Sequence, residues 1–268
     1  MSARSISVPL TSHEVSLPAV IMIGAALNAL VVTVMKSVGE GSDGLTFGIS
    51  PFQLVAFFVA AKFSLAQDEA EAPGSPWLDA VVVAMILVPS SAVSWFALAI
   101  YSGYQARHTY GARRIGALIF LAAALASLWS SVILKWFALP VTTAESFVLW
   151  QLLSLVRPDI IQSANVIGNP ETHSLILMTR CTTTDALPHA AVALVAVAFL
   201  LGDVNQKKLW QALLALCGIY VVANMLRLAG MAWSAESYAL VHGPIGANIF
   251  DLFQATVVLV LGNWASES

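Results

Sequence analysis

Charge is what this sequence has least of. Of its 268 residues, 10% are Asp, Glu, Lys or Arg and 59% are apolar, against roughly 25% and 45–50% in ordinary soluble domains. A soluble fold of this length exposes more surface than so few charges can cover, and a mean hydropathy of +0.82 points the same way. Lipid has to cover the rest. Basic residues are also scarce, with 12 Lys and Arg, a net charge of -3 and no basic stripe, which excludes a nucleic-acid partner. Two cysteines, Cys181 and Cys217, provide neither a disulfide scaffold nor a zinc ribbon. His-Glu-x-x-His, a Gly-rich phosphate loop and Gly-x-Ser-x-Gly are all missing. Their absence argues against a zinc protease, a P-loop ATPase and a serine hydrolase. No metal or organic cofactor is expected.

What the sequence does have is long, nearly uncharged runs. A helix needs about 17–25 residues to cross about 30 Å of hydrocarbon, and seven runs qualify: 17–35, 49–65, 80–101, 115–134, 186–201, 209–231 and 245–261. An eighth, 143–156, is short, carries Glu145 and Gln151, lies between Pro140 and Pro158, and reads as interfacial or re-entrant. The expected fold is an all-α, polytopic transmembrane helix bundle of about seven or eight spans. It forms a single integral membrane domain over 1–268, with leading spans in 1–137 and motif-bearing spans in 179–262. Pro89-Ser90-Ser91 predicts a local kink in the third run. The first run is too long for a signal-peptide core, has no basic flank beyond Arg4, and reads as a retained span.

Lys36, then Arg107, Arg113 and Arg114, then Lys207 and Lys208 follow the first, third and fifth runs. Positive residues resist translocation, so that side is expected to be cytoplasmic. The acidic loop Asp68-Glu69-Ala70-Glu71 and the segments 138–185 and 232–244 then fall outside. Lys62 and Lys135 read as anchors near the outer span ends.

Ionisable groups inside spans are costly and so point to sites. Arg227 follows Asn224 by three residues, which puts a guanidinium and an amide on one helix face. Asp251 lies about two turns into the last run, with an undecided role. Cys181 stands in Thr179-Arg180-Cys181-Thr182-Thr183-Thr184-Asp185, a helix start that tolerates Pro188 in its opening turns. The positive end of that helix, with Arg180 beside it, favours a thiolate. Cys217, between Leu216 and Gly218, reads as a core thiol. Of the histidines expected outside, His173, His189 and His242, the last precedes the Gly243-Pro244 turn near the emerging end of Arg227. A cysteine nucleophile, a histidine acid/base and an arginine for a carboxylate or oxyanion are the parts of acyl transfer. His189 is the rival base.

Three motifs, Cys181-Thr182-Thr183 ahead of a Leu-Pro helix, Asn224-Met225-Leu226-Arg227, and Val241-His242-Gly243-Pro244, resemble the exosortase/archaeosortase family of membrane cysteine transpeptidases. The resemblance covers about Thr179 to Leu261. It implies catalytic Cys181, Arg227 and His242, with Asn224, Arg180, Thr182 and Gly243 in supporting or substrate-binding positions. It also implies recognition of exported proteins by a C-terminal sorting signal, often Pro-Glu-Pro followed by a hydrophobic helix and a basic tail. A thioester on Cys181 would be passed to an acceptor outside the cell (inner or plasma) membrane. Many members have Ser-Gly after the cysteine where this chain has Thr182-Thr183, which bears on the substrate signal. The alternatives are a non-enzymatic transporter or scaffold with a polar site near Arg227, or a hydrolase without an acceptor.

Overall fold

Helix starts follow the capping residues in the sequence. The computed structural model describes residues 16–39, 49–66 and 74–267. Arg4, His13 and the acidic loop Asp68–Glu71 lie outside the described residues. The Ser50 N–H donates to Gln53 Oε1 at 3.1 Å ahead of Pro51, Asn205 Oδ1 accepts from the N–H groups of Lys207 and Lys208, and Ser234 caps with Ser237. Side-chain acceptors and prolines at these positions satisfy or remove the N–H groups that a helix start leaves unpaired.

The helices are α1 (Leu17–Gly39), α2 (Pro51–Ser64), α3 (Pro76–Ile86), α4 (Ser91–His108), α5 (Gly111–Leu128), continued by a π-turn (Trp129–Ile133) and α6 (Leu134–Trp136), then α7 (Ala138–Leu153), α8 (Thr183–Leu201), α9 (Gln206–Trp233), α10 (Ala235–His242) and α11 (Pro244–Ser266). Among the described residues, five segments are long and apolar enough to cross a membrane: α1, α5 with its continuation, α8, α9 and α11.

The run 80–101 is not one kinked span. Tyr101 Oη donates to Asp79 Oδ1 at 2.6 Å, whereas a straight helix would hold residues 22 apart in sequence about 33 Å from each other. The chain therefore reverses at Leu87–Ser90, and α3 folds back along α4. Asn28, midway along α1, donates to Ile86 O at the tip of this hairpin and to Ser94 Oγ. The hairpin thus enters from one end of the bundle and turns at mid-depth. Pro89 cannot donate to an ongoing helix, and Ser90 and Ser91 start a new one.

Orientation within the bundle also differs from the charge-based expectation. Arg113 Nε donates to Ala66 O, so the last turn of α2, with Lys62, lies at the Arg113 end and not the opposite one. Lys36 lies at the other end, lining the same cavity as Lys135 and Cys181. Lys208 Nζ donates to Glu267 O and Asn205 N to Ala265 O, closing α9 and α11 at the Arg113 end. Hence α1, α2, α5, α8, α9 and α11 run end to end, while α3 and α4 enter and leave by the Arg113 end.

Segment 138–182 returns to the end at which it began. It forms α7, an antiparallel sheet β1 (Ile161–Ser163), β2 (Val166–Asn169), β3 (His173–Ile176) and a 3-10 turn (Thr179–Cys181), a small β element that an all-α expectation omits. Leu149, Leu153, Ile167, Leu175 and Leu177 bury against Leu228 and Met231 of α9, so α7 and the sheet cap the bundle and α7 does not cross it. Gly168, at φ 145°, lies against the backbone of His173 and Ser174, where no side chain fits.

The membrane half packs through small residues. Ala25, Ala29, Ala56, Ala60, Ala117 and Ala124 are buried, and Phe57 stacks on Trp95 at 5.4 Å and on Phe120 at 6.1 Å. Close backbone approach is what stabilises helix pairs in lipid, where apolar burial gains little. A Cβ on Gly116 would stand 2.8 Å from Ala60 O and 2.6 Å from Ser64 N, whereas one on Gly24 meets nothing within 4 Å. Gly116→Ala is expected to destabilise the detergent-solubilised protein by about 1–3 kcal/mol through overpacking, and Gly24→Ala to leave the melting temperature unchanged or higher.

Candidate active site

Pro188 sets the local problem at the start of α8. It has no N–H to donate to Thr184 O, and an orphaned carbonyl in a low-dielectric setting is costly. Trp129 Nε1 takes that carbonyl at 2.8 Å. The π-turn that carries Trp129 also carries Ser130, whose Oγ reaches Asp185 O, and such bulges are frequent at functional positions. Thr182 Oγ1 bonds Thr179 O and Thr184 Oγ1, folding the 3-10 turn onto the helix start.

Two neighbouring helices fix this turn. On α9, the buried Asn224 donates from Nδ2 to Cys181 O at 3.0 Å and to Thr183 Oγ1 at 3.1 Å. On α7, Glu145 Oε1 accepts the Thr183 N–H at 2.9 Å. Burial pushes the Glu145 carboxyl up to about 6, against the opposing pull of the Thr183 and Thr184 N–H groups. Its second oxygen, Oε2, is buried without a partner. The carboxylate thus occupies the helix end that the sequence reading assigns to the thiolate.

The half-buried Cys181 opens onto a cavity of about 540 Å³. Arg180, Thr182, Asn224 and Arg227 line the same cavity. Arg227 lies one turn beyond Asn224 on one face of α9, with its guanidinium 4.7 Å from the Phe250 ring centroid and Nε buried without a partner. Four of the expected site positions besides Cys181 therefore meet around one space.

His242 and Gly243 are not among its lining residues. His242 is exposed at the end of α10, stacked on Tyr238 at 4.9 Å, and Tyr238 in turn contacts His173. His173 Nε2 donates to Met231 O. Neighbouring Val241 packs by Gly230, less than a turn from Arg227, so His242 belongs to the rim. Gly243 is a turn residue whose added Cβ would collide with Ala239 O. His189, by contrast, lines the cavity. Its Nδ1 donates to Asp185 O, leaving Nε2 buried and unpartnered, the lone pair a general base requires.

Asp251, Gln254, Tyr220, Lys36 and Lys135 also line the cavity. Asp251 thereby acquires a place, and Lys135, expected as an anchor, and Lys36, expected at the opposite end, both border the cavity. Below Tyr220 and Gln254 the space closes on Leu194, Val197, Leu216 and Val258. Cys217 is exposed on the outer face of α9 and not in the core. Glu145 and Trp129 are the site residues that sequence reasoning missed. Their signals were a lone carboxylate in an apolar segment and the carbonyl four residues before Pro188.

No protein-family model, curated protein or solved structure matches this chain. Trp129→Phe, which keeps the ring and removes the indole N–H, is expected to destabilise the protein by about 1–3 kcal/mol, the cost of leaving Thr184 O unpaired. Trp136→Phe, at a position 80% exposed, is expected to leave the melting temperature unchanged.

Proposed function

We propose that the protein is a membrane-embedded cysteine transpeptidase of the exosortase/archaeosortase kind, acting on exported proteins that carry a C-terminal sorting signal. The observation that supports this reading best is the pair of Asn224 hydrogen bonds to the Cys181 turn. They bring a half-buried thiol and the guanidinium of Arg227 to one polar cavity. In the proposed reaction, the Cys181 thiolate attacks the scissile carbonyl carbon and Arg227 stabilises the oxyanion or holds a substrate carboxylate. The C–N bond then breaks, the departing amine takes a proton from a histidine, and the thioester passes to an acceptor amine or to water.

The family resemblance assigns that proton to His242. The cavity favours His189, which lines it and keeps Nε2 unpartnered, while His242 is exposed at the rim, stacked on Tyr238. The closed floor beneath Tyr220 disfavours a transport path. The Cys181 end is proposed to face outward from the cell membrane, with Arg107, Arg113, Arg114, Lys207 and Lys208 at the cytoplasmic end.

A reporter ending in Pro-Glu-Pro, a hydrophobic helix and a basic tail tests the reaction. Cleavage is expected to vanish in Cys181→Ala and to fall about 10²–10³-fold in Arg227→Ala. A loss in His189→Gln with cleavage retained in His242→Gln would assign the base to His189, and the reverse result to His242. In a Cys217→Ala background, a membrane-impermeant maleimide is expected to label Cys181 in intact cells. Labelling only after permeabilisation would reverse the orientation.

A further inference from the structure

Helix α8 has one positive end, and three acids lie at it: Cys181, Glu145 and, in the helix's own first turn, Asp185. Cys181 is in the turn that leads into the helix, while Glu145 accepts the N–H of Thr183, the first residue of α8, from the neighbouring α7. Glu145 Oε2 has no partner of its own, so the carboxylate is held to this turn by main-chain N–H groups alone. The elements packed on α7 bring Lys135 from α6, Arg180 and Cys181 from the 3-10 turn and Arg227 from α9, while β1 and β2 bring no charged or titratable residue. Asp185, in the first turn of α8, brings a second carboxylate to the same helix end, and His189 lies about one turn further along. Among the described contacts none of these side chains hydrogen-bonds or ion-pairs with Glu145.

We propose that Glu145 is the positioning residue of the Cys181 turn, a carboxylate whose charge occupies the N-terminal end of α8 and opposes formation of the thiolate beside it. Resting on the reading of Cys181 as the nucleophile, this names what regulates it. With Glu145 ionised, its negative charge already lies at the helix end and opposes a second one on Cys181. When Glu145 takes up a proton, or substrate binding draws it from the Thr183 N–H, the helix end becomes available to the thiolate. The two groups then titrate as a coupled pair, each opposing the other's ionisation. The carboxyl's position at about 6 places this exchange near neutrality.

The sign follows from the coupling. As pH falls through 6, Glu145 becomes neutral and its repulsion disappears, so the thiolate population falls more slowly than a single ionisation requires. Alkylation of Cys181 by iodoacetamide, followed from pH 5 to 9 in the full-length Cys217→Ala protein, reads this directly. In that parent, the logarithm of the rate is expected to change by less than one unit per pH unit between pH 5 and 7. Glu145→Gln keeps an acceptor for Thr183 and removes the charge. Its profile is expected to follow a single ionisation and to be about tenfold faster at pH 7, the effect of a one-unit downward shift of the thiol. Glu145→Asp, which restores the charge, is expected to return the rate to within about threefold of the parent, and the distant Glu171→Gln to match the parent.

A Glu145→Gln profile identical to the parent, with its melting temperature retained, would overturn the proposal. A slope of one throughout in the parent would overturn it without any variant. The readout is thiol ionisation and not turnover. A protein inert toward every sorting-signal reporter would therefore leave this test intact, and an unchanged Glu145→Gln profile would leave the peptidase reading standing.

Discussion

The Cys181 end is organised by how α8 begins. A helix that starts in a lipid-covered bundle needs partners for its first N–H groups, and Pro188 adds an orphaned carbonyl four residues earlier. Each group on this turn is met from a different element: Glu145 of α7 accepts the Thr183 N–H, Trp129 of the π-turn after α5 donates to the Thr184 carbonyl, and Asn224 of α9 donates to the carbonyl of Cys181. Because unpaired backbone groups are so costly away from water, these demands pull three distant parts of the chain onto one turn. The cavity beside Cys181 is what that convergence leaves between them.

The same constraint explains the cap. A segment of 16 helical residues followed by a three-stranded sheet would leave open sheet edges in hydrocarbon, which lipid cannot satisfy. Lying over the end of the bundle, with Leu149, Leu153 and Ile167 against Leu228 and Met231, it buries one face and presents the other outward. The ion pair Arg157–Asp159, with Asn169 bonded to the same carboxylate, lies in this layer, and the arginine holds that carboxyl well below its usual range.

What could be read from the sequence was what local pattern encodes. Apolar runs gave the membrane-crossing helices, and the spacing of Asn224 and Arg227 put both on one face of α9, where the structure has them. Arg180 and Thr182 followed from the helix start. The fold-back at Pro89 was not legible, because apolar residues continue on both sides of the turn and hydropathy carries no sign of direction. That error displaced Lys36 and Lys62, since their side was matched to that of Arg107, Arg113 and Arg114 by counting the hairpin as a crossing. His189 and His242 were indistinguishable by type, and only the packing of α8 against the cavity and of α10 against Tyr238 separates them. Glu145 looked like a reason to reject a span, when it was a carboxylate required by another helix.

The α3–α4 hairpin has a consequence for the chain's sidedness. A pair of helices that enters and leaves through the same end contributes nothing to the parity of crossings. The start of α1 and the end of α11 consequently lie at the same end of the bundle, the Arg113 end, whatever the hairpin's length. A change in the hairpin's length therefore leaves the end at which Cys181 opens where it is.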